Sequence, residues 1–234
     1  MKIKTMLKKL QLSQKDFEEI SEAVRKAEAK TTGEIETAIT AESAHYAFWE
    51  LLASVCISVL VFAVLLPFAG KINSVYERIT WTQRIWALPA LYGFICFASV
   101  AASFYLFNIP ALDRIVIPRI VRNASVTRRA MRHFTESGIY ETAEHSGILI
   151  FVSYLEHQVR IVADRGISVK ISPDLWKIIS DGLAADIKSG NAKTGFINAI
   201  EKCGDLLAQN FPAHEKNPDE LPDGLTVLED AEWY

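Results

Sequence analysis

Two long apolar runs constrain this chain more than any other feature. Leu51 to Gly70 is twenty residues without a charge, and Ile85 to Leu112 is twenty-eight. A bilayer core about 30 Å thick needs roughly twenty mostly apolar helical residues, so each run is long enough to span it. Helices buried in a soluble core rarely run so far without a polar face. The polar loop between the runs carries Lys71, Asn73, Glu77, Arg78 and Arg84, with Trp81 and Trp86 where a second span would begin. Indole rings suit the headgroup boundary. Glu50 stands at the lip of the first run, within reach of water. Residues 46–112 are therefore expected to form a transmembrane hairpin.

Basic residues beside the spans set the expected orientation. Lys2, Lys4, Lys8, Lys9, Lys15, Arg25, Lys26 and Lys30 precede the first run, and Arg114, Arg119, Arg122, Arg128, Arg129 and Arg132 follow the second. The loop holds only Lys71, Arg78 and Arg84. Both termini are thus expected on the cytoplasmic side of an inner membrane. The N-terminus lacks the apolar run and small-residue cleavage site of a signal peptide. Cys56 and Cys96 fall inside the spans and Cys203 in a helical pattern, so no disulfide framework is suggested. The net charge of −3 is unevenly spread, with basic segments around the spans and an acid-rich end. The basic segments lack aromatic interleaving or a recognition motif, so lipid contact explains them better than nucleic acid.

Outside the insertion, enough chain remains on its two sides for one domain with a core of its own. Met1 to Leu12 is a basic lead-in. Ser13-Gln14-Lys15-Asp16 has capping-box spacing, and Phe17, Ile20, Val24 and Ala27 repeat on one helical face. Thr31-Thr32-Gly33 stops that helix, and Glu34 to Thr40 alternates as a half-buried strand with Glu36 on the outer face. Beyond the hairpin, Val126, Ala130 and Phe134 mark a helix from about Val121 to Glu136, closed by Ser137-Gly138. Gly147 to Ser153 is an apolar run that suits a strand covered on both faces. After a turn at Leu155 to Gln158, Val159 to Ala163 supplies a hairpin partner. Ser172-Pro173-Asp174 starts a helix with Leu175, Ile179 and Leu183 inward. A last helix from Thr194 to about Asn210 buries Phe196, Ile200, Cys203 and Leu207. Residues 212–234, rich in acid and Pro, read as a disordered tail.

The first strand and the Gly147 strand are joined by a long connection containing a helix, which suits parallel pairing. Two antiparallel spans return the chain to its starting side, so they fit inside that connection. The expected fold class is α/β, with domain parts at residues 1–45 and 113–211.

Several strings in this order resemble the TPM domain family of thylakoid phosphatase-like proteins. They are Ala27-Glu28-Ala29-Lys30-Thr31-Thr32-Gly33-Glu34-Ile35, then Phe134 with Gly138-Ile139-Tyr140 and Thr142. Gly147-Ile148-Leu149-Ile150 with Val152-Ser153 follows, and then Val159-Arg160-Ile161-Val162-Ala163-Asp164-Arg165-Gly166-Ile167. The resemblance covers roughly Ser13 to Ala41 and Arg122 to Phe211. It implies a mixed sheet of about four or five strands with helices on both faces. Family members include acid phosphatases, calcium binders and accessory factors of membrane complexes. It also implies an acidic loop pocket near the ends of the hairpin strands, with Thr32-Gly33-Glu34 lining it by family analogy. This chain departs from the family pattern there, with Glu144-His145-Ser146-Gly147 where Asn or Asp often stands beside the Gly, and Asp164-Arg165-Gly166-Ile167 with no acid two residues later.

Calcium takes six to eight oxygens, several from carboxylates. Glu144, Asp164, Asp174 and Asp181 are the acids placed to converge at that sheet edge, as ligands of Ca2+ or Mg2+. Helix capping explains Asp174, and solvation Asp181, without a metal. For phosphoryl hydrolysis there is no P-loop, Cys-x5-Arg or Asp-x-Asp motif, so a metal-held water would supply the nucleophile and Arg165 the phosphate contact. His133, His145 and His157 stand twelve apart but on different kinds of segment, without zinc-site spacing. In the membrane, Ala98 and Ala102 with Ser99 and Ser103 offer small-residue spacing for helix contact. These features lead to the expectation of a membrane-anchored accessory or regulatory interaction module, binding a divalent cation. Its partners would be the lipid bilayer and another membrane protein or complex, not nucleic acid. The alternative is a metal-dependent acid phosphatase-like hydrolase, which would need Asp164.

Overall fold

The structure, a computed structural model of the chain, describes residues 3–80, 84–107, 109–142, 145–213 and 223–229. It divides into two compact units, one of Met1–His45 with Ile120–Tyr234 and one of Tyr46–Arg119.

The first unit opens with α1 (Ile3–Leu10), inside the stretch read as a lead-in. Its Met6 and Leu10 are buried in the main core, which is what a short helix with charged residues on its other faces can contribute. In α2 (Gln14–Glu28), the Ser13 hydroxyl accepts from the Asp16 N–H, and the Asp16 carboxylate accepts from the Ser13 N–H at 2.8 Å. That is the reciprocal cap the spacing implied. β1 (Glu34–Thr40) follows, and every one of its residues is buried.

The second unit holds α3 (Ala47–Leu65), a 3-10 turn at Leu66–Phe68, α4 (Ala69–Thr80), α5 (Ala87–Phe107) and α6 (Pro110–Val116). Two of its helical stretches, Ala47–Ile79 and Ala87–Phe107, are long and apolar enough to cross a membrane. Between α3 and α5, the Ser58 hydroxyl donates to the Cys96 carbonyl at 3.0 Å, and the Tyr92 hydroxyl donates to the Leu65 carbonyl at 2.9 Å. Phe62 and Tyr92 meet edge to face with centroids 6.1 Å apart. The small-residue pattern is only partly used, because Ala98 and Ala102 point outward while Ser99 and Ser103 are half-buried. Glu50 is buried in the first turn of α3 rather than wet, a position where free helix N–H groups favour an acid. The polar loop between the runs is largely α4, and Trp81 lies outside the described residues.

Back in the first unit, α7 (Arg119–Glu136) buries Val126, Ala130 and Phe134, as their fourfold spacing requires. β2 (Gly147–Ser153), β3 (Gln158–Ala163), α8 (Arg165–Lys170), α9 (Pro173–Lys188), α10 (Ala192–Asn210) and β4 (Leu225–Leu228) complete it. The sheet order is β3-β2-β1-β4. β1 runs parallel to β2, with Glu34 opposite Gly147, and parallel to β4, with Thr37 opposite Leu225. β2 and β3 form the antiparallel hairpin. This is the mixed α/β sheet of four strands with helices on both faces.

One sheet face, with Ile35, Ile39, Ile148, Ile150 and Val152, packs against residues of α1, α2, α8, α9 and α10. The other, with Ala38, Leu149 and Phe151, packs under α7. Fully buried Phe151 and Phe196 each contribute about 2–3 kcal/mol through removal from water. Covering both faces explains why β1 is not half-buried.

Three further readings are corrected. β4 lies within residues 212–234, where a disordered tail was expected; Leu225, Thr226, Val227 and Leu228 are strand-forming residues that complete the edge of β1. In α9 the inward residue is Trp176, whereas Leu175 is 40% exposed, so the helix is rotated to bury the larger side chain. Asp164-Arg165-Gly166 does not merely end the hairpin but starts α8.

Candidate functional site

The loops at the start of β1 and β2 and the exit of β3 form one rim. Two glycines permit their close approach. A Cβ on Gly147 would collide with Ile139 Cγ2 and lie 2.6 Å from the Ile139 carbonyl oxygen. A Cβ on Gly33 would lie 2.9 Å from Leu207 Cδ1 and 3.1 Å from the Ser146 carbonyl oxygen. The Glu34 N–H donates to the Ser146 carbonyl at 3.3 Å, and the Ser146 hydroxyl donates to the Thr32 carbonyl at 3.0 Å. The Asp164 N–H donates to the Gly147 carbonyl at 2.9 Å. Thr32-Gly33-Glu34, Ser146 and Asp164 therefore do come together, as the resemblance implied.

An exposed histidine paired with a mostly buried acid marks the rim. His145, at φ 51°, places Nδ1 3.2 Å from Asp164 Oδ2 and 3.2 Å from the Tyr140 carbonyl oxygen. A carbonyl oxygen only accepts, so Nδ1 carries the proton in that contact. The other Asp164 oxygen accepts the Arg165 N–H at 2.6 Å and caps α8. The Arg165 side chain is exposed to solvent.

The remaining expected ligands stand elsewhere. Asp174 is exposed in the first turn of α9, where the Ser172 side chain accepts its N–H. Asp181 is exposed and paired with Lys177 at 2.7 Å, a contact that raises the Lys177 pKa. Glu144 lies outside the described residues. Among the described residues, no three His, Cys, Asp or Glu side chains are grouped so as to hold a metal ion. Of the four expected ligands, the three described ones serve as the α8 cap (Asp164), a first-turn acid of α9 (Asp174) and the ion-pair partner of Lys177 (Asp181). Cys203 is fully buried, and burial alone pushes its thiol up to about 12, which leaves it inert as a nucleophile.

Reasoning from sequence missed a set of buried acids. Glu28 closes α2 and accepts the Ile35 N–H through Oε1 at 2.7 Å. Burial, helped by the neighbouring Glu34 and Asp223 carboxylates, raises its pKa to about 9. Asp223, just before β4, accepts from Arg25 Nε at 2.6 Å. Glu156 is buried in the β2–β3 turn, accepting the Ser43 N–H at 2.9 Å and the Ser153 hydroxyl at 2.5 Å. The signal for Glu28 was present, since it falls four residues after Val24 on the apolar face of α2.

Comparison with known proteins finds a likeness over the second part of this unit. The family model described as TPM domain matches residues 114–206, a stretch that takes in α7, β2, β3, α8 and α9 and most of α10. That stretch is similar to the TPM domain family. The BA42 protein from the psychrophilic bacterium Bizionia argentinensis, solved by NMR, shares its fold with a TM-score of 0.53 at 21% identity. That likeness covers 92% of this chain and 94% of BA42. No curated protein matches the sequence. The rim built from Thr32, His145, Ser146 and Asp164 straddles the boundary of the matched range. Its β2–β3 half lies within the stretch that the family model matches, and its β1 half precedes that stretch.

Proposed function

We propose that this is a membrane-anchored TPM-domain protein whose α/β unit serves as an accessory or regulatory interaction module at the cytoplasmic membrane. The observation that carries the reading is the exposure of the second unit. The most apolar stretch of each long helix is only 11% buried by the chain itself. Exposed apolar surface of that extent calls for a nonaqueous environment. Basic residues before the first span and after the second favour cytoplasmic termini. The partners are then the lipid bilayer and a membrane protein or complex beside it.

The rim supports a binding role more than hydrolysis. Its polar groups are largely engaged with one another, and Asp164 is occupied by His145 and by the α8 cap. Alkaline carbonate washing of membranes bearing the full chain is the direct test. Retention in the pellet with release by detergent is expected, and recovery in the wash would overturn anchoring. Phosphomonoester hydrolysis by the detergent-purified chain, with calcium or magnesium and beside Asp164→Ala, tests the rival. Metal-dependent turnover lost in that variant would replace the module reading with a hydrolase.

A further inference from the structure

We propose that α4 is an interfacial helix, its apolar arc seated at the boundary between lipid headgroups and acyl chains on the side where α3 ends. The inference rests on the anchoring reading above and adds a second mode of membrane contact. The nineteen residues of α3 cover about 28 Å, which already matches a bilayer core. Pro67, in the 3-10 turn after α3, removes a backbone donor where the span should end. α4 then begins at the membrane surface.

Its sequence is sorted for that place. Ile72, Val75, Tyr76 and Ile79 recur at i, i+3, i+4 and i+7, a single stripe along the helix. Asn73, Ser74, Glu77 and Arg78 occupy the other side, where the Asn73 amide donates to Glu77 Oε1 at 2.8 Å. Val75 is 55% exposed and Ile79 75%, so the second unit's own helices leave both largely uncovered. Lys71 and Arg78 lie about two turns apart along a single edge of the polar side, with stems long enough to reach toward the apolar arc while their charges meet headgroups. The chain re-enters beside a cation–π contact, with the Arg84 guanidinium 5.8 Å from the Trp86 ring centroid, a pairing suited to the same depth. Continuity decides the occupant. A helix whose two ends lead into the anchoring helices meets lipid before it meets another protein.

Site-directed spin labels test this in the full chain reconstituted into phosphatidylethanolamine–phosphatidylglycerol vesicles. Cys56 and Cys96 are replaced by Ala, and buried Cys203 is left in place. Single cysteines then replace Ser74, Val75, Arg78 and Ile79, with Val59 and Phe97 on the long helices as depth references. Labels at 75 and 79 should show a severalfold higher ratio of oxygen to nickel-chelate accessibility than those at 74 and 78. Four aqueous values with lipid-like references would overturn the interfacial helix and leave the anchor intact. Four lipid-like values would overturn it too, because α4 would then belong to the span. Aqueous references would overturn the anchoring reading, and this inference with it.

Discussion

His133 Nε2 lies 2.7 Å from Glu36 Oε1, across the interface between α7 and β1. Both side chains are largely buried, and among the described residues the second carboxylate oxygen, Oε2, has no hydrogen-bond partner. An acid in the middle of a covered strand is tolerated because a ring nitrogen meets it. His133→Ala would strand that carboxylate in a dry interface, at a cost of roughly 2–4 kcal/mol. Glu36→Gln keeps an acceptor and should cost less. Chemical denaturation of the detergent-solubilised variants checks the order, and equal losses would contradict it.

Glu28 makes the first unit more stable in acid than in base. Its pKa is raised from 4.5 in the open chain to about 9 in the fold. Between those values the folded state holds a proton that the unfolded chain has released, so stability falls as pH rises through the window. Below it the contribution is fully present. Glu28→Gln preserves the acceptor for the Ile35 N–H without ionising, and should flatten this part of the pH profile. Thermal unfolding across pH 4.5 to 9, compared with the parent, reads the difference. A parallel slope in both proteins would assign the dependence to other groups.

Two glycines should respond oppositely to alanine. Gly147→Ala places a methyl carbon 2.6 Å from the Ile139 carbonyl oxygen, where backbone must move. A loss of about 3 kcal/mol or more is expected, or no folded product. Gly182, within α9, has nothing near its absent Cβ. Gly182→Ala should therefore raise stability by about 0.5–1 kcal/mol through better helix propensity. Melting temperatures of the two variants give the test.

β4 depends on contacts outside its own four residues. Arg25 holds Asp223, the Thr37 hydroxyl donates to the Gly224 carbonyl at 2.8 Å, and Arg129 donates to the Glu229 carbonyl at 3.1 Å. Arg25→Ala should speed amide exchange in Leu225 to Leu228 while leaving the β1–β2 ladder protected. Hydrogen exchange with peptide resolution distinguishes that outcome from general loosening of the sheet.

Local signals in the sequence were sufficient where a segment carries its own period or cap. Ser13 with Asp16, the Val126-Ala130-Phe134 spacing and the unbroken run of β2 each specify an element without outside help. They were insufficient where a distant partner decides. Glu36 reads as a solvent-facing strand residue until α7 supplies His133 from far along the chain. Leu225 to Leu228 is too short to be a strand alone, and becomes one only against β1. At the rim, the resemblance correctly placed Thr32-Gly33-Glu34 near Ser146 and Asp164. Asp174 and Asp181 share a helix, but spacing cannot tell a converging ligand from an ion pair such as Lys177–Asp181.

The pairing of β1 with β2 also orders events during synthesis. Glu34 leaves the ribosome long before its partner Gly147, and the whole second unit is made between them. Until then β1 has neither parallel neighbour, because β4 is made later still. A strand with two open edges is prone to pair wrongly. The sheet can therefore close only after the whole second unit has been made, and β1 must stay unpaired until then.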